Sequence, residues 1–454
     1  MPMTFRAELR AMVRLAVPIV AVQLGQMLMG VADTVMVGRV SAEAIAAVAL
    51  GNLYFFGAAI FGMGALMALD PVIAQAVGAR DTVAVARGVQ RGLILSLALS
   101  LVATALLLPA RPVLGLLRQP QAVADVAATY ARIEIAGILP FYVIGALRQS
   151  LQAMKRIAPI VGAIIAGNLA NVGLNYLWIY GRLGFPAGGA VGSAWATSVS
   201  RWVMLLLLVA VGWPTLRPQL LPLRREAFAW QPLRRMAALG APIGVQYELE
   251  YGVFAVVGIM MGWLGTEQLA GHQVALNLAS LAFMVPLGVS AAAAVLVGHA
   301  VGRGDVAEAR RAAAAGLVCG VGFMAASALV MLTIPRFLAG IYTTDPGVAA
   351  LAASLIPIAG VFQVFDGIQV VSIGILRGVG DTRAPMVVNV LGFWLVGLPV
   401  SAALGFGAGA GPRGLWWGLT VGLMLVAAVL IWRVRRRLAG EIRRVVIDRD
   451  VVGA

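Results

Sequence analysis

The sequence predicts an all-α polytopic membrane protein, with twelve transmembrane helices in two six-helix lobes related by a pseudo-twofold axis along the membrane normal. Three observations carry this. The 454 residues are 61% apolar and only 12% charged, where soluble domains run nearer about 45–50% and about 25%. Apolar runs long enough for a helix of about 20 residues recur a dozen times. They are continuous, unlike the alternating ~10-residue segments of a transmembrane barrel. Finally, the second half of the chain repeats the first.

Bounded by Gly, Pro and Arg clusters, the runs place spans near 13–36, 46–76, 90–110, 127–152, 159–181 and 190–212 in the first half. In the second half they fall near 236–262, 269–300, 312–334, 348–376, 385–405 and 414–433. The first span follows Arg6, Arg10 and Arg14 as a signal peptide would, but it contains Gln23, Gln26 and Asp33 and outruns an h-region, so it is a retained helix. Pro18 lies inside it, where a missing backbone hydrogen bond permits a bend. The organisation expected is an N-lobe over 1–212, a cytoplasmic linker over 213–235 carrying Pro214, Pro218, Pro222 and Pro232, a C-lobe over 236–433 and a basic cytoplasmic tail over 434–454.

The net charge of +15 is a topology signal. With the N-terminus in the cytoplasm, 26 basic residues fall on the inner side and 6 on the outer, with Arg132 and Arg201 inside helices. That imbalance places both termini inside and removes the need for a nucleic-acid partner. The lone cysteine, Cys319, excludes an intrachain disulfide.

A shift of 224 residues superimposes Pro18 on Pro242, Met36 on Met260, Gly38 on Gly262, Glu43 on Glu267, Gly78 on Gly302, Asp81 on Asp305 and Arg87 on Arg311. Apolar matches arise by chance, but Pro, Gly, Glu, Asp and Arg held in one register do not. Six is an even number of crossings, so both halves enter the membrane with the same orientation. Two similar bundles across a central cleft suit alternating access.

A carboxylate at mid-membrane costs about 2.5–3.5 kcal/mol, so each needs a reason. Asp33 ends a polar stripe with Gln23, Gln26 and Gly30 at helical spacing. In span 7, Glu248 and Glu250 point about 200° apart, so both cannot enter one site. Tyr247, Glu250, Tyr251 and Phe254 share a face that suits an organic cation. Asp366 lies mid-span between Gln363 and Gln369, and its repeat counterpart is approximately Pro140. Asn171 and Asn175 in span 5, and Gln273, Asn277 and Ser280 in span 8, fall on helix faces where interhelical hydrogen bonds are the ordinary role. Arg201 either pairs with an acid or snorkels, and His272 and His299 are read as structural.

The strings Ala32-Asp33-Thr34-Val35-Met36-Val37-Gly38, Gly271-His272-Gln273-Val274-Ala275-Leu276-Asn277, Asp366-Gly367-Ile368-Gln369 and Leu376-Arg377-Gly378-Val379-Gly380-Asp381-Thr382 resemble the multidrug and toxic compound extrusion (MATE) family, in its NorM-like bacterial branch. The resemblance covers nearly the whole chain. It implies export of amphipathic, often cationic compounds in exchange for Na⁺ or H⁺, without another cofactor, by a monomer in the bacterial inner membrane. It assigns Glu250 and Asp366 as C-lobe coupling acids, where a Na⁺ ion would be held, and Asp33 as the N-lobe acid with Asn171, Asn175 and Thr197 as polar neighbours. Pro18 matches the proline at which the first helix bends, whereas Glu248 stands where the pattern has an aromatic residue. The other transporter reading is a flippase of lipid-linked precursors, for which only Arg201 speaks. A membrane enzyme is disfavoured, because the sequence has no Asp-rich metal motif, no Walker sequence and no Cys/His ligand spacing.

Overall fold

The computed structural model describes residues 4–116 and 121–448. Arg118 and Arg449, counted in the charge balance, and tail positions 449–454 lie outside them. Among the described residues twelve helices are long and apolar enough to cross a membrane: α1 (Phe5–Gly38), α2 (Ala42–Gly78), α3 (Thr82–Leu107), α4 (Gln121–Ala153), α5 (Ala158–Tyr180), α6 (Gly189–Leu220), α7 (Trp230–Leu264), α8 (Thr266–Arg303), α9 (Val306–Thr333), α10 (Pro346–Gly378), α11 (Arg383–Gly407) and α12 (Gly411–Ala439). Leu97, Leu101, Leu206 and Leu395 are exposed on these helices, as expected of side chains whose solvent is lipid.

Most helices outrun the predicted spans, and four of them, α2, α3, α9 and α10, open on a side-chain cap from Ser41, Asp81, Asp305 and Asp345. Asp81 accepts from Ala84 N–H at 2.9 Å and Asp305 from Glu308 N–H at 2.8 Å, opening α3 and α9 at equivalent repeat positions. The preceding helices close alike. The residue before each cap is left-handed, Arg80 at φ 58° and Gly304 at φ 74°, and the Asp81 and Asp305 amides donate back to Ala76 O and Ala300 O at 2.9 and 3.0 Å. The ends of α4 and α10 repeat this around Lys155 and Gly380, with Arg156 and Asp381 donating to Leu151 O and Leu376 O, both at 2.8 Å. The repeat is thus one of backbone conformation, with a basic residue in the first half standing where the second has glycine.

The chain forms two compact units, but their boundaries differ from the expected lobes. Of the described residues, those up to 20 belong with 245–445, and those from 21 to 244 with 446–448. Each half's first helix therefore begins in one unit and ends in the other, changing just after Pro18 in α1 and Pro242 in α7. Glycines explain the packing. A Cβ on Gly64 would meet Gly244 Cα at 2.8 Å, binding the first half of α7 to α2. A Cβ on Gly288 would meet Val20 Cα at 3.1 Å, binding the first half of α1 to α8. These two contacts are one contact made twice, because Gly64 and Gly288, and Val20 and Gly244, are repeat partners.

The linker is also shorter than 213–235. Helix α6 continues through Pro214 and Pro218 to Leu220, and a 3-10 turn at Arg225–Phe228 precedes α7. The tail is not simply a basic extension. Helix α12 runs to Ala439, and beyond it Asp448 is bonded to Arg91 at 2.6 Å and faces Arg87 at 3.5 Å.

In α11, the α-helix Arg383–Asn389 passes into a π-helix over Val390–Gly397 and, after Leu398–Ala402, into a second over Ala403–Gly407. Such widened turns re-aim side chains and cluster at functional sites.

Candidate functional site

Each unit encloses an acidic site. In the unit holding residues 21–244, Asp33 is 3% exposed at the end of α1. Asn175 of α5 donates to its Oδ1 at 2.6 Å and Thr197 of α6 to its Oδ2 at 2.8 Å. Asn175 also donates to Asn171 Oδ1 at 3.1 Å, and Asn171 to Thr197 Oγ1 at 3.4 Å. The i, i+4 spacing of the two asparagines stacks them on one face of α5, which closes a ring of amide, amide and hydroxyl on one carboxylate. Asp33, Asn171, Asn175 and Thr197 thus form a single cluster.

The stripe read along α1 divides in two. Gln23 and Gln26 accept from Arg148 Nη1 of α4 at 2.8 and 2.7 Å, so they hold a buried guanidinium and take no part in the Asp33 cluster. Their helical spacing was legible; that it serves a cation on another helix was not. Arg201 pairs with an acid and does not snorkel. Its Nη1 bonds Glu134 Oε2 at 2.5 Å, and its guanidinium lies 4.5 and 5.3 Å from the Phe55 and Phe141 ring centres. Glu134 was missed, although it is an acid inside a predicted span and could have been flagged on that ground alone.

In the other unit, Glu250 of α7 is surrounded by carboxamides. Gln369 of α10 donates to its Oε1 at 3.3 Å and Asn389 of α11 to its Oε2 at 3.4 Å, while Gln246, one turn back on α7, is a third partner. Asp366 of α10, 9% exposed, lies within electrostatic reach of Glu250. Among the described residues neither carboxyl has a basic partner. Asn389 sits where α11 turns from α-helix to π-helix, and Trp394, the fifth residue of the widened stretch, bonds Leu249 O at 3.2 Å. The irregular backbone thereby docks α11 onto α7 beside Glu250. Asn389 and Gln246 are not among the amides singled out in the sequence, because neither falls on a polar face with other amides at helical spacing.

The remaining candidates divide. Tyr247, Glu248 and Tyr251 are half-buried on α7, and the carboxylate that Gln369 and Asn389 hold is Glu250, not Glu248. Phe254, Phe362, Trp416 and His272 form a chain of ring contacts at 6.3, 5.8 and 5.7 Å. Gln363 is buried between helices. It ties α10 to α8 through Ala279 O at 2.9 Å and to α9 through Ser327 Oγ at 3.2 Å. Gln273 and Asn277 are exposed on α8, where Asn277 donates to Gln273 O at 2.8 Å.

Comparison with known proteins agrees with this architecture. The MatE family model matches residues 18–177 and 242–403, two segments that begin at the equivalent prolines of α1 and α7. The chain is 39% identical to a probable multidrug resistance protein NorM of Burkholderia mallei over 441 residues, covering 94% of this chain and 92% of that one. It is 34% identical to the multidrug resistance protein MdtK of Edwardsiella ictaluri, covering 94% and 95%. The fold matches that of a eukaryotic MATE transporter, AtDTX14, with a TM-score of 0.87 at 21% identity over 96% of this chain and 99% of that one. It also matches a MATE structure in the bent conformation, with a TM-score of 0.85 at 22% identity over 96% of both chains.

Proposed function

The chain belongs to the MatE family, and from that premise we propose that it is a secondary active multidrug efflux transporter of the bacterial inner membrane, exporting amphipathic, often cationic compounds in exchange for Na⁺ or H⁺. The multi-pass fold and the relatives named as multidrug resistance proteins support export. The single observation that carries the coupling is the Glu250–Asp366 pair: two carboxyls on membrane spans α7 and α10, in electrostatic reach of one another, Glu250 held by amides and neither with a basic partner among the described residues.

Two carboxylates taken out of water need positive charge to offset the cost. A cationic drug supplies it in one half of the cycle and Na⁺ or a proton in the other. Coupling then requires that drug and ion compete for the same carboxylates, or prefer different conformations; equal preference would move nothing. Amide and carboxylate oxygens at Glu250 and Asp366 suit Na⁺ coordination, and the same carboxyls can carry protons. Asp33 is a third coupling acid in the other unit. Tyr247, Tyr251 and Phe254 beside Glu250 offer ring faces to an organic cation.

The flippase reading gains nothing, because Arg201, the residue that would receive an anionic headgroup, is engaged by Glu134. Dye efflux from proteoliposomes, driven in turn by an imposed Na⁺ gradient and an imposed pH gradient, tests antiport and its ion together. Efflux that follows neither gradient would overturn the proposal.

A further inference from the structure

The buried pair Arg201–Glu134 has no role in the coupling just proposed, yet it stands beside the Asp33 cluster. Thr197, which donates to Asp33, and Arg201 are one turn apart on α6, so their side chains leave the same face. Arg201 is within electrostatic reach of Asp33, and Tyr130 of α4 feels Asp33, Glu134 and Arg201 together. Among the described residues the rest of the surround is uncharged: Asn52 and Phe55 of α2, Phe141 of α4, Asn171 and Asn175 of α5. Arg132 of α4 is exposed.

Arg201 acts electrostatically on two buried carboxylates, Asp33 and Glu134, but is bonded to only one of them. It is held back by Glu134 Oε2 at 2.5 Å and by the Phe55 and Phe141 rings. The backbone prepares the space. Helix α4 passes through a 3-10 turn at Ile135–Gly137 directly after Glu134, and a Cβ on Gly137 would lie 3.1 Å from Arg201 Nη1. Two oxygens of the ensemble, Glu134 Oε1 and Asn175 Oδ1, are buried without a hydrogen-bond partner, where satisfied groups are the rule. Asp33 and Glu134 supply two negative charges and Arg201 one positive.

We infer that Arg201 and Glu134 are positioning residues that set the α1 acid site one positive charge short, Glu134 keeping Arg201 from neutralising Asp33 so that Asp33 takes up one exchangeable monovalent cation. This rests on the proposed role of Asp33 in antiport. It predicts opposite effects for the two halves of one ion pair, which a purely structural pair would not show. Glu134→Gln releases Arg201 to Asp33 and removes the deficit. Arg201→Gln deepens the deficit. The double variant restores it.

The experiment is a cation titration of the purified full-length protein, followed by tryptophan fluorescence, in a Glu250→Gln/Asp366→Asn background that isolates the Asp33 site. One arm titrates Na⁺ at fixed alkaline pH, and the other titrates pH without Na⁺, which separates the two cations. One added or removed charge at this range changes an ionisation or binding equilibrium by about 10-fold or more. The expected results are apparent affinity at least about 10-fold weaker in Glu134→Gln, at least about 10-fold tighter in Arg201→Gln, and within about 3-fold of the background in the double variant and in Arg201→Lys, which keeps the charge. Single variants that shift in the same direction, or a double variant worse than either, overturn the inference. If the singles are not recovered folded, Arg201→Lys and the double variant decide it, since a structural pair fails in both. Loss of the response in Asp33→Asn with no effect of the pair overturns this inference alone. A response and an efflux both untouched by Asp33→Asn overturn the antiport role of Asp33 as well.

Discussion

The two acidic sites solve the same electrostatic problem by different means. Around Asp33 a single carboxylate receives hydrogen bonds from Asn175 and Thr197, and a resident Arg201–Glu134 pair stands within reach. Around Glu250 a second carboxyl, Asp366, adds to the charge, the partners are amides only, and no basic side chain is present among the described residues. The first site carries part of its compensation in the protein. The second must import all of it, which makes it the stronger candidate for drug and ion competition. Duplication supplied the scaffold, but the charges were placed afresh. Glu250 is the repeat partner of Gln26, which holds Arg148, and Asp366 approximately that of Pro140.

The comparison can be broken most directly at its charged end. Asp366→Asn or Glu250→Gln should reduce gradient-driven dye efflux in proteoliposomes to the level of protein-free vesicles while membrane insertion persists. Undiminished efflux in both would remove the C-terminal site from the mechanism. Asp33→Asn should be milder, because the remaining site still exchanges drug for ion. About a 10-fold loss of efflux rate is expected, equivalent to about 1.4 kcal/mol; a complete loss would make the two sites equal partners.

The ligand shells give a finer test. Asn389→Leu leaves one Glu250 oxygen without a donor, a cost of about 1–3 kcal/mol, and should shift the half-saturating coupling-ion concentration of efflux by roughly 10-fold. Thr197→Val does the same to Asp33 and should shift it less. The smallest effect is one the repeat makes symmetric. Asp81→Ala and Asp305→Ala remove equivalent caps and should each cost about 0.5–2 kcal/mol, read as similar decreases in detergent melting temperature. Unequal decreases would show that the turns are not energetically equivalent.

The twelve spans, the repeat and the three principal acids were legible because each rests on a local or periodic signal: an apolar run, a register, a charge where charge is expensive. Partners were not. Asn175 meets Asp33, and Arg201 meets Glu134, across stretches of chain that a helical wheel does not span. Glu134 looked ordinary beside Arg132, and the stripe through Gln23 and Gln26 implied the wrong destination because the face of a helix says nothing about which helix it meets. Asn389 was hidden for another reason. The π-turn that aims it arises in packing of α11, not in any residue preference visible along 383–397.

The exchange of helix halves after Pro18 and Pro242 also bears on biogenesis. Residues 5–20 pack against Gly288 and Gly316, which emerge from the ribosome long after α1 has entered the membrane. The earliest segment made must therefore wait, threaded but unpacked, until α8 and α9 arrive, while the unit built from residues 21–244 can close as soon as the first half of α7 is synthesised. A cysteine placed at Met12, which is buried against Gly316, should accordingly react with a membrane-permeant thiol reagent in nascent chains arrested near residue 264 and be protected in the finished protein; equal reactivity in both would refute this order of assembly.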